Sequence, residues 1–106
     1  MIQSLPLANI LPRTAKVTAA GHLALGGCDT VALVQEFGTP LYVLDEDTLR
    51  HQCREFQAEF RSRHPDTIVA YAAKAYLGRA LAALLADEKM GLDVVSGGEL
   101  AVARSV

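Results

Sequence analysis

The stretch that decides the fold is Thr67–Leu100, TIVAYAAKAYLGRALAALLADEKMGLDVVSGGEL. It begins with a short apolar run, TIVAYAAKA, and continues into a segment with leucines at helical spacing, at positions 77, 81, 84 and 85. A second apolar run, LDVVS, follows and leads into GGELAVARSV, which has the pattern of another helix. Two apolar strands joined by a helix predict a βα repeat, the unit from which parallel sheets are built.

The same pattern occurs once more, closer to the N-terminus. LYVLD has the pattern of a strand, and EDTLRHQCREFQAEFRSR that of a helix with Leu49, Cys53, Phe56 and Phe60 on one face. The three strands start near residues 41, 68 and 92, at spacings of 27 and 24 residues. We predict an α/β fold, namely the first two and a half βα units of a partial (β/α)8 TIM-type barrel. An open doubly wound sheet begins in the same way and stays an alternative.

The chain before residue 40 has a different organisation. Two prolines interrupt residues 1–12 and predict an irregular arm. TAKVT and HLAL then predict a β-hairpin, which Gly26 and Gly27 are expected to end.

A short helix is predicted after the hairpin. CDTVALVQEFGTP places Asp29 as the N-cap and Gly38 just past the C-terminus. The apolar stripe of this helix consists of Val31, Leu33, Val34 and Phe37. We therefore divide the chain into residues 1–40, an arm with a β-hairpin and a short helix, and residues 41–106, the truncated start of a barrel.

Composition excludes several classes of protein. A net charge of −2 and 6% aromatic residues leave no basic, aromatic surface of the kind that binds nucleic acid. No apolar run approaches the roughly 18 residues that span a bilayer, and the N-terminus lacks the pattern of a secretion signal, so a cytoplasmic protein is expected. A complete barrel needs about 250 residues, so we expect the 106-residue chain to be truncated.

The cysteines and histidines indicate neither a disulfide framework nor a metal site. Cys28 and Cys53 lie 25 residues apart without CxxC spacing, which favours a structural role for each. None of the three histidines lies at ligand spacing from another histidine or from a cluster of acids. No bound metal is therefore expected.

Lys74 is the residue that most suggests chemistry. With a period of two along the strand, Ile68, Ala70, Ala72 and Lys74 share one face, so the lysine stands above small residues at the strand's C-terminal end. Catalytic groups of TIM barrels lie at this end of the strands. The alternative is a lysine whose stem packs past the strand end while its ammonium reaches water.

Two motifs resemble one known family. YAAKA, followed 19 residues after its lysine by Asp93 in LDVVSGGEL, is similar to the start of the pyridoxal-phosphate barrel decarboxylases of the alanine-racemase-like fold type. GHLALGGCDTVALVQEFGTPLYVLDEDTLR resembles the N-terminal region of diaminopimelate decarboxylases, in which a Gly-His-Leu hairpin, a Gly-Gly-Cys-Asp helix start and a TPLYV strand follow in that order. Together the motifs cover residues 21–106.

The resemblance implies a lyase of lysine biosynthesis that decarboxylates meso-diaminopimelate to L-lysine and CO2. Lys74 resembles the lysine that holds pyridoxal 5'-phosphate covalently, and Ala72 the small residue beside the cofactor ring. Asp93 and Glu99 resemble two acids near the reactive end of the pocket. A lysine suits this role because its primary amine condenses with the cofactor aldehyde, and the substrate amine can then displace it.

Both acids also have structural explanations. SGGE matches a capping box with Ser96 as N-cap and Glu99 reaching back from the third helical position, and this role is compatible with one in the pocket. Asp93 can be a polar residue at a strand start. Gly97 and Gly98 are assigned to close packing and turn geometry, because the family's phosphate-binding loop comes later in the barrel.

The match to the family has departures and leaves alternatives. Tyr76 stands where many relatives have asparagine. The resemblance implies later barrel strands, a phosphate loop and a β-domain that associates with the N-terminal hairpin in a homodimer, so the fragment alone is expected to be inactive. The alternatives are a related decarboxylase of arginine, ornithine or a polyamine precursor, and a non-catalytic barrel homologue. An alanine racemase fits less well, because its lysine is followed by a different run.

Overall fold

A computed structural model describes residues 8–106, which form two compact units. Residues 8–49 belong to the first unit and residues 50–106 to the second. The sheet of the first unit is antiparallel, and that of the second is parallel. Most of the predicted irregular arm, residues 1–12, lies outside the described residues. In its described part, Ala8–Ile10 form a 3₁₀ turn.

The first unit contains a three-stranded sheet made of β1 (Lys16–Val17), β2 (Leu23–Leu25) and β3 (Cys28–Asp29), in that order. The antiparallel pairing of β1 with β2 confirms the predicted hairpin. Gly26 and Gly27 end β2, as predicted, but their φ angles of 56° and 85° turn the chain back into a third strand, β3, that the sequence did not predict. Two consecutive positive φ angles suit a two-residue hairpin loop, and glycine adopts them without strain.

Helix α1, Thr30–Phe37, follows β3 directly and has Asp29 as its N-cap, as predicted. One carboxylate oxygen of Asp29 accepts hydrogen bonds from the main-chain N–H groups of Val31, at 2.8 Å, and Ala32, at 3.4 Å. The other oxygen lies 2.8 Å from Nδ1 of His22. This hydrogen bond is the largest of the effects that lower the pKa of Asp29. The pair therefore joins the hairpin to the start of the helix.

The C-terminus of α1 also follows the prediction, but its apolar stripe is not buried. Gly38 ends the helix with a φ of 80°, and its N–H donates to the carbonyl of Val34 at 2.8 Å. The exposed fractions of Val31, Val34 and Phe37 are 40%, 42% and 63%. Within the first unit α1 contacts β2 and β3, and these contacts leave the stripe open. The caps, rather than burial of the stripe, define this helix.

The strand predicted for LYVLD is not formed. In the described part of the chain, residues 41–45 pair with no strand, and the first four side chains of this run are exposed. A β-strand exists through hydrogen bonds to a neighbouring strand, so an apolar run with a suitable composition does not form one by itself.

Helix α2, Glu46–Arg61, is capped by the buried residue Asp45. The Asp45 carboxylate accepts hydrogen bonds from the hydroxyl of Thr48 and, at 3.1 Å, from its N–H. Burial by itself raises the pKa of Asp45, but hydrogen bonds from Thr48 and Thr14 outweigh this effect and hold the pKa below its usual value. Gly26 packs against the same carboxylate, since a Cβ there would lie 2.9 Å from Oδ1 of Asp45.

The second unit contains the βαβ repeat predicted from Thr67–Leu100. Its elements are β4 (Ala70–Ala72), α3 (Arg79–Asp87), β5 (Gly91–Asp93) and α4 (Gly97–Ala103). Strands β4 and β5 pair in parallel, which confirms the predicted type of sheet.

Helix α3 supplies most of the core of the second unit. Ala82 is fully buried, and the three buried leucines of this helix are Leu81, Leu84 and Leu85. Leu77 of the predicted face precedes the helix and is half-buried. Burial of these leucines is worth roughly 1.5–3 kcal/mol each, and α3 contacts both β5 and α4.

Helix α2 buries a different face from the predicted one. Cys53 is buried as expected, but Phe56 and Phe60 are 52% and 51% exposed, and Gln57 is buried instead. The side-chain amide of Gln57 donates to the main-chain carbonyl of Glu88 at 2.9 Å. The buried face of α2 thus includes a polar contact with the residue after α3, which apolar periodicity does not reveal.

Glu88, the residue after α3, is the centre of a cluster of charges. Its carboxylate accepts hydrogen bonds from Arg54, at 2.7 and 2.8 Å, and from Arg50, at 2.7 Å, and the side chain is only 7% exposed. These hydrogen bonds lower the pKa of Glu88 from 4.5 to about 2. Burial raises the pKa of the Cys53 thiol, and the charge of Glu88 raises it further.

The protein thus has a mixed α/β fold with two small sheets, and its parallel βαβ unit is of the kind with which an α/β barrel begins. Across residues 8–106, no helix combines the length and the apolar character needed to cross a bilayer.

Candidate functional site

Ala72 and Asp93 are the last residues of β4 and β5, and they are paired in the parallel register. Adjacent strands lie about 4.8 Å apart, so the two residues are neighbours at the carboxyl edge of the sheet. Ala72 is half-buried, whereas Asp93 is exposed. The structure therefore brings two of the four predicted site residues together.

Lys74 lies just beyond β4, in the 3₁₀ turn Ala73–Ala75. The prediction that Lys74 continues the alternation of the strand is wrong, because the strand ends at Ala72 and the turn breaks the period of two. Ala73 is only 2% exposed and anchors the turn, while Lys74 itself is exposed. The lysine thus follows the carboxyl end of β4, but it is carried by a turn rather than by a strand face.

A tyrosine pair that the sequence did not single out brackets this turn. The hydroxyl of Tyr71, on β4, donates to the main-chain carbonyl of Tyr76 at 2.8 Å. The phenol of Tyr76 lies over Gly78, where a Cβ would come within 2.6 Å of the Tyr76 hydroxyl oxygen. The only signal in the sequence is that two tyrosines flank the lysine within six residues, a pattern that by itself predicts no contact.

Glu99 lies in the first turn of α4 and takes part in its capping. Its Oε2 accepts a hydrogen bond from the N–H of Val95 at 2.7 Å, and its own N–H donates to Oγ of Ser96 at 3.1 Å. This is the reciprocal arrangement of a capping box, except that the glutamate reaches Val95 instead of the N-cap residue. The structural role of Glu99 is confirmed, and its role at a cofactor stays a prediction.

The explanation given for Gly97 and Gly98 is wrong. A Cβ at Gly97 would meet nothing within 4 Å, and one at Gly98 would meet only Oγ of Ser96, at 3.8 Å. Neither glycine has a positive φ angle. Nothing in the structure explains glycine at these two positions.

The arrangement at the carboxyl edge of β4 and β5 suits the part of pyridoxal phosphate that carries the aldehyde. Lys74 offers an exposed primary amine that can bond an aldehyde. Ala72 is small enough to leave room beside a flat ring, and the exposed carboxylate of Asp93 can bind a cationic nitrogen. Glu99, six residues after Asp93, is held in the cap of α4.

Outside this edge, the described residues include other candidate metal ligands and nucleophiles. Among residues 8–106, no group of three or more His, Cys, Asp and Glu side chains could hold a metal ion. Both cysteines are free thiols, Cys28 exposed and Cys53 buried.

Comparison with known proteins shows which enzymes the chain resembles. The chain is 47% identical over 96 residues to a diaminopimelate decarboxylase of Synechocystis sp., a match that covers 90% of the chain and 20% of that protein. It is 47% identical over 87 residues to a diaminopimelate decarboxylase of Bacillus methanolicus, covering 82% of the chain and 20% of that protein. A diaminopimelate decarboxylase of Mycobacterium tuberculosis is 44% identical over 95 residues, which are 90% of the chain and 21% of that protein.

The similarity therefore extends over nearly the whole chain, which spans about a fifth of the length of these curated relatives. The resemblance inferred from the motifs is confirmed, and it is consistent with an N-terminal fragment. No protein-family profile matches the chain.

Proposed function

We propose that this chain is the N-terminal region of a diaminopimelate decarboxylase, and that the whole protein uses pyridoxal phosphate to convert meso-diaminopimelate to L-lysine and CO2. The observation that carries the proposal is an identity of 42 to 47% to curated enzymes of that name, over 82 to 90% of the chain. The place of Lys74, directly after the first strand of a parallel βαβ unit, supports it independently.

In this proposal, residues 41–106 are the start of a (β/α)8 barrel, and residues 1–40 associate with a later β-domain. The parallel pairing of β4 with β5 supports a barrel, because a TIM-type barrel consists of parallel strands joined by helices. In a complete barrel, residues 41–45 would gain neighbouring strands and with them the hydrogen bonds that define a strand.

Lys74 is assigned the central role. Pyridoxal phosphate, when bound, supplies an aldehyde that bonds amines and a ring that accepts the electron pair left behind by departing CO2. The Nζ of Lys74 would hold this aldehyde until the substrate amine takes its place. The same nitrogen would then be free to give or accept a proton near the reacting carbon.

The other predicted residues are assigned supporting roles. Ala72 would leave space beside the cofactor ring, and Asp93 would place a negative charge near the amine of Lys74. Glu99 would serve the pocket in addition to capping α4, using the carboxylate oxygen that does not accept from Val95. The register that pairs Ala72 with Asp93 supports a shared site for these two residues.

The proposal extends to the setting of the whole enzyme. Its partner is a small amino-acid substrate, and no nucleic acid or membrane is involved. We infer a cytoplasmic homodimer, because the decarboxylases that the motifs resemble complete their active site with residues of a second subunit.

Substrate choice separates this proposal from the related decarboxylases. Diaminopimelate carries a distal carboxylate and amine, which the enzyme would bind through charged groups outside this chain. Ornithine and lysine lack that carboxylate, so they would leave its buried partners unpaired. The whole protein is therefore expected to release CO2 from meso-diaminopimelate orders of magnitude faster than from ornithine, arginine or lysine.

A side-by-side assay of CO2 release with these four amino acids tests the proposal. Equal or greater turnover with arginine or ornithine would overturn the assignment of the substrate and favour a related decarboxylase. Absence of CO2 from all four, in a protein that carries pyridoxal phosphate, would favour a non-catalytic homologue.

A further inference from the structure

One hydrogen bond closes the turn that carries Lys74. Tyr71 precedes the turn on β4, Tyr76 follows it, and the Tyr71 hydroxyl donates to the Tyr76 carbonyl at 2.8 Å. We propose that Tyr71 is a positioning residue, whose hydrogen bond fixes the backbone of Ala73–Ala75 and thereby presents the Lys74 amine at the carboxyl edge of β4 and β5. This inference rests on the proposed function of Lys74.

The donor of this hydrogen bond is held by the sheet. Tyr71 is the middle residue of β4 and is paired with Leu92 of β5. Its side chain is half-buried, and a tyrosine has only two rotatable side-chain angles, so fixing its hydroxyl costs little conformational entropy. The sheet therefore fixes the backbone from which the Tyr71 hydroxyl reaches the turn.

The acceptor lies in a segment that regular structure does not hold. Tyr76 is extended, with a φ of −175°, and falls between the 3₁₀ turn and the start of α3 at Arg79. Its carbonyl is thus available to a side chain. The hydrogen bond therefore joins this irregular segment, which follows Lys74, to the strand that precedes it.

Packing of Lys74 itself does not supply this constraint. Lys74 is exposed, and within residues 8–106 no ion pair or hydrogen bond holds its ammonium. The buried side chain of Ala73 anchors the N-terminal end of the turn. The hydrogen bond from Tyr71 to Tyr76 therefore anchors the C-terminal end, and the two together determine where Lys74 stands.

A matched pair of variants tests the proposal in the whole enzyme. Tyr71→Phe removes the donor, whereas Tyr76→Phe keeps the main-chain acceptor and removes an unrelated hydroxyl. Hydrogen exchange of the amides of residues 73–77 is expected to be about two- to tenfold faster in Tyr71→Phe, the factor that one net hydrogen bond contributes. Tyr76→Phe should exchange like the parent protein, and the amides of α3 should be unaffected in both.

A second readout concerns Lys74 directly. After brief incubation with pyridoxal phosphate and reduction with borohydride, peptide mapping compares the rate of labelling at Lys74 with the rates at Lys16 and Lys89, the other two lysines of the chain. Tyr71→Phe is expected to slow labelling at Lys74 by a similar factor and to leave the other two rates unchanged. A global loss of stability would instead change all three rates together.

The outcomes that overturn the inference are distinct from failure of the proposed function. Unchanged exchange of residues 73–77 in Tyr71→Phe, or faster exchange with an unchanged rate at Lys74, would overturn the positioning role of Tyr71. A parent protein that takes no label at Lys74, together with faster exchange in Tyr71→Phe, would overturn the proposed function and with it the positioning role. In that case the hydrogen bond would stand as a structural closure of the turn.

Discussion

Ala72 and Asp93 face each other across the parallel pair of β4 and β5, although 21 positions separate them in the sequence. The pairing follows from the βαβ unit, in which a helical crossover returns the chain so that both strands end at the same edge. Lys74 follows Ala72 on the turn that leaves this edge. The relative position of the three residues therefore depends on the close approach of β5 to β4.

Gly91 sets this close approach. A Cβ at Gly91 would lie 3.2 Å from the Cβ of Ala70 and 3.4 Å from the carbonyl oxygen of Val69. Gly91→Val is expected to lower the free energy of unfolding by about 1–3 kcal/mol, the usual cost of overpacking, as measured by urea denaturation. The control is Gly97→Ala, where nothing lies within 4 Å and stability should not decrease. Equal stability of the two variants would contradict the observed register.

Glu88 is expected to make stability depend on pH in the acid range. Its pKa is lowered from 4.5 to about 2 by Arg54 and Arg50, so the unfolded state binds this proton more tightly. The contribution of Glu88 is therefore complete above about pH 4.5 and is lost as the pH falls toward 2. Glu88→Gln should be less stable at neutral pH and should show a flatter pH dependence between these values, as measured by urea unfolding.

The matched control for Glu88 is Glu59→Gln. Among residues 8–106 the Glu59 carboxylate pairs only with Arg63, and both side chains are about two-thirds exposed, so its removal should change stability little. The pKa values of Asp29 and Asp45 are also lowered, so part of the loss of stability at acid pH should remain in both variants. An unchanged slope in Glu88→Gln would show that the charge cluster does not stabilise the fold.

The two thiols should differ sharply in reactivity. Cys53 is 7% exposed and its pKa is raised by burial, whereas Cys28 is exposed. Because the thiolate is the nucleophile, a thiol reagent near neutral pH is expected to modify Cys28 rapidly and Cys53 only after unfolding. In Cys28→Ser, the rapid phase should disappear and a denaturant should restore one reactive thiol. Fast labelling of Cys53 in the folded variant would contradict its burial.

Local signals in the sequence predicted much of the fold. Asp29 and Gly38 determined the ends of α1, because an N-cap and a C-terminal glycine act within one turn of the chain. The apolar runs around residues 70 and 92 predicted a parallel pair, because strand–helix–strand order leaves few other arrangements.

Features that depend on a distant neighbour could not be predicted. LYVLD has the composition of a strand, but its pairing depends on residues elsewhere in the fold. Gln57 is buried where Phe56 is predicted to be, and its hydrogen-bond partner is the carbonyl of Glu88, 31 positions away. Such contacts leave no mark on local periodicity.

At the candidate site, too, local signals in the sequence were informative and contacts between separate segments were not. The pattern predicts Lys74 at the end of the first strand and Asp93 near the start of the next, whereas β4 ends at Ala72 and β5 at Asp93. The pairing of Ala72 with Asp93 is therefore a finding of the structure. Lys74 was assigned to a strand face because alternation gives no sign of where a strand stops, and the 3₁₀ turn begins one residue earlier. The Tyr71 hydrogen bond was missed because it joins a side chain to a main-chain carbonyl, which any residue type can supply.

The most direct test of the central claim is to identify the lysine that bears pyridoxal phosphate in the whole protein. Borohydride reduction of the loaded enzyme followed by peptide mapping should place the label on Lys74, and Lys74→Ala should abolish both the label and the absorbance of the lysine-bound cofactor. Label on Lys16, on Lys89 or on a lysine outside this chain, with Lys74 unmodified, would contradict the assignment of the site.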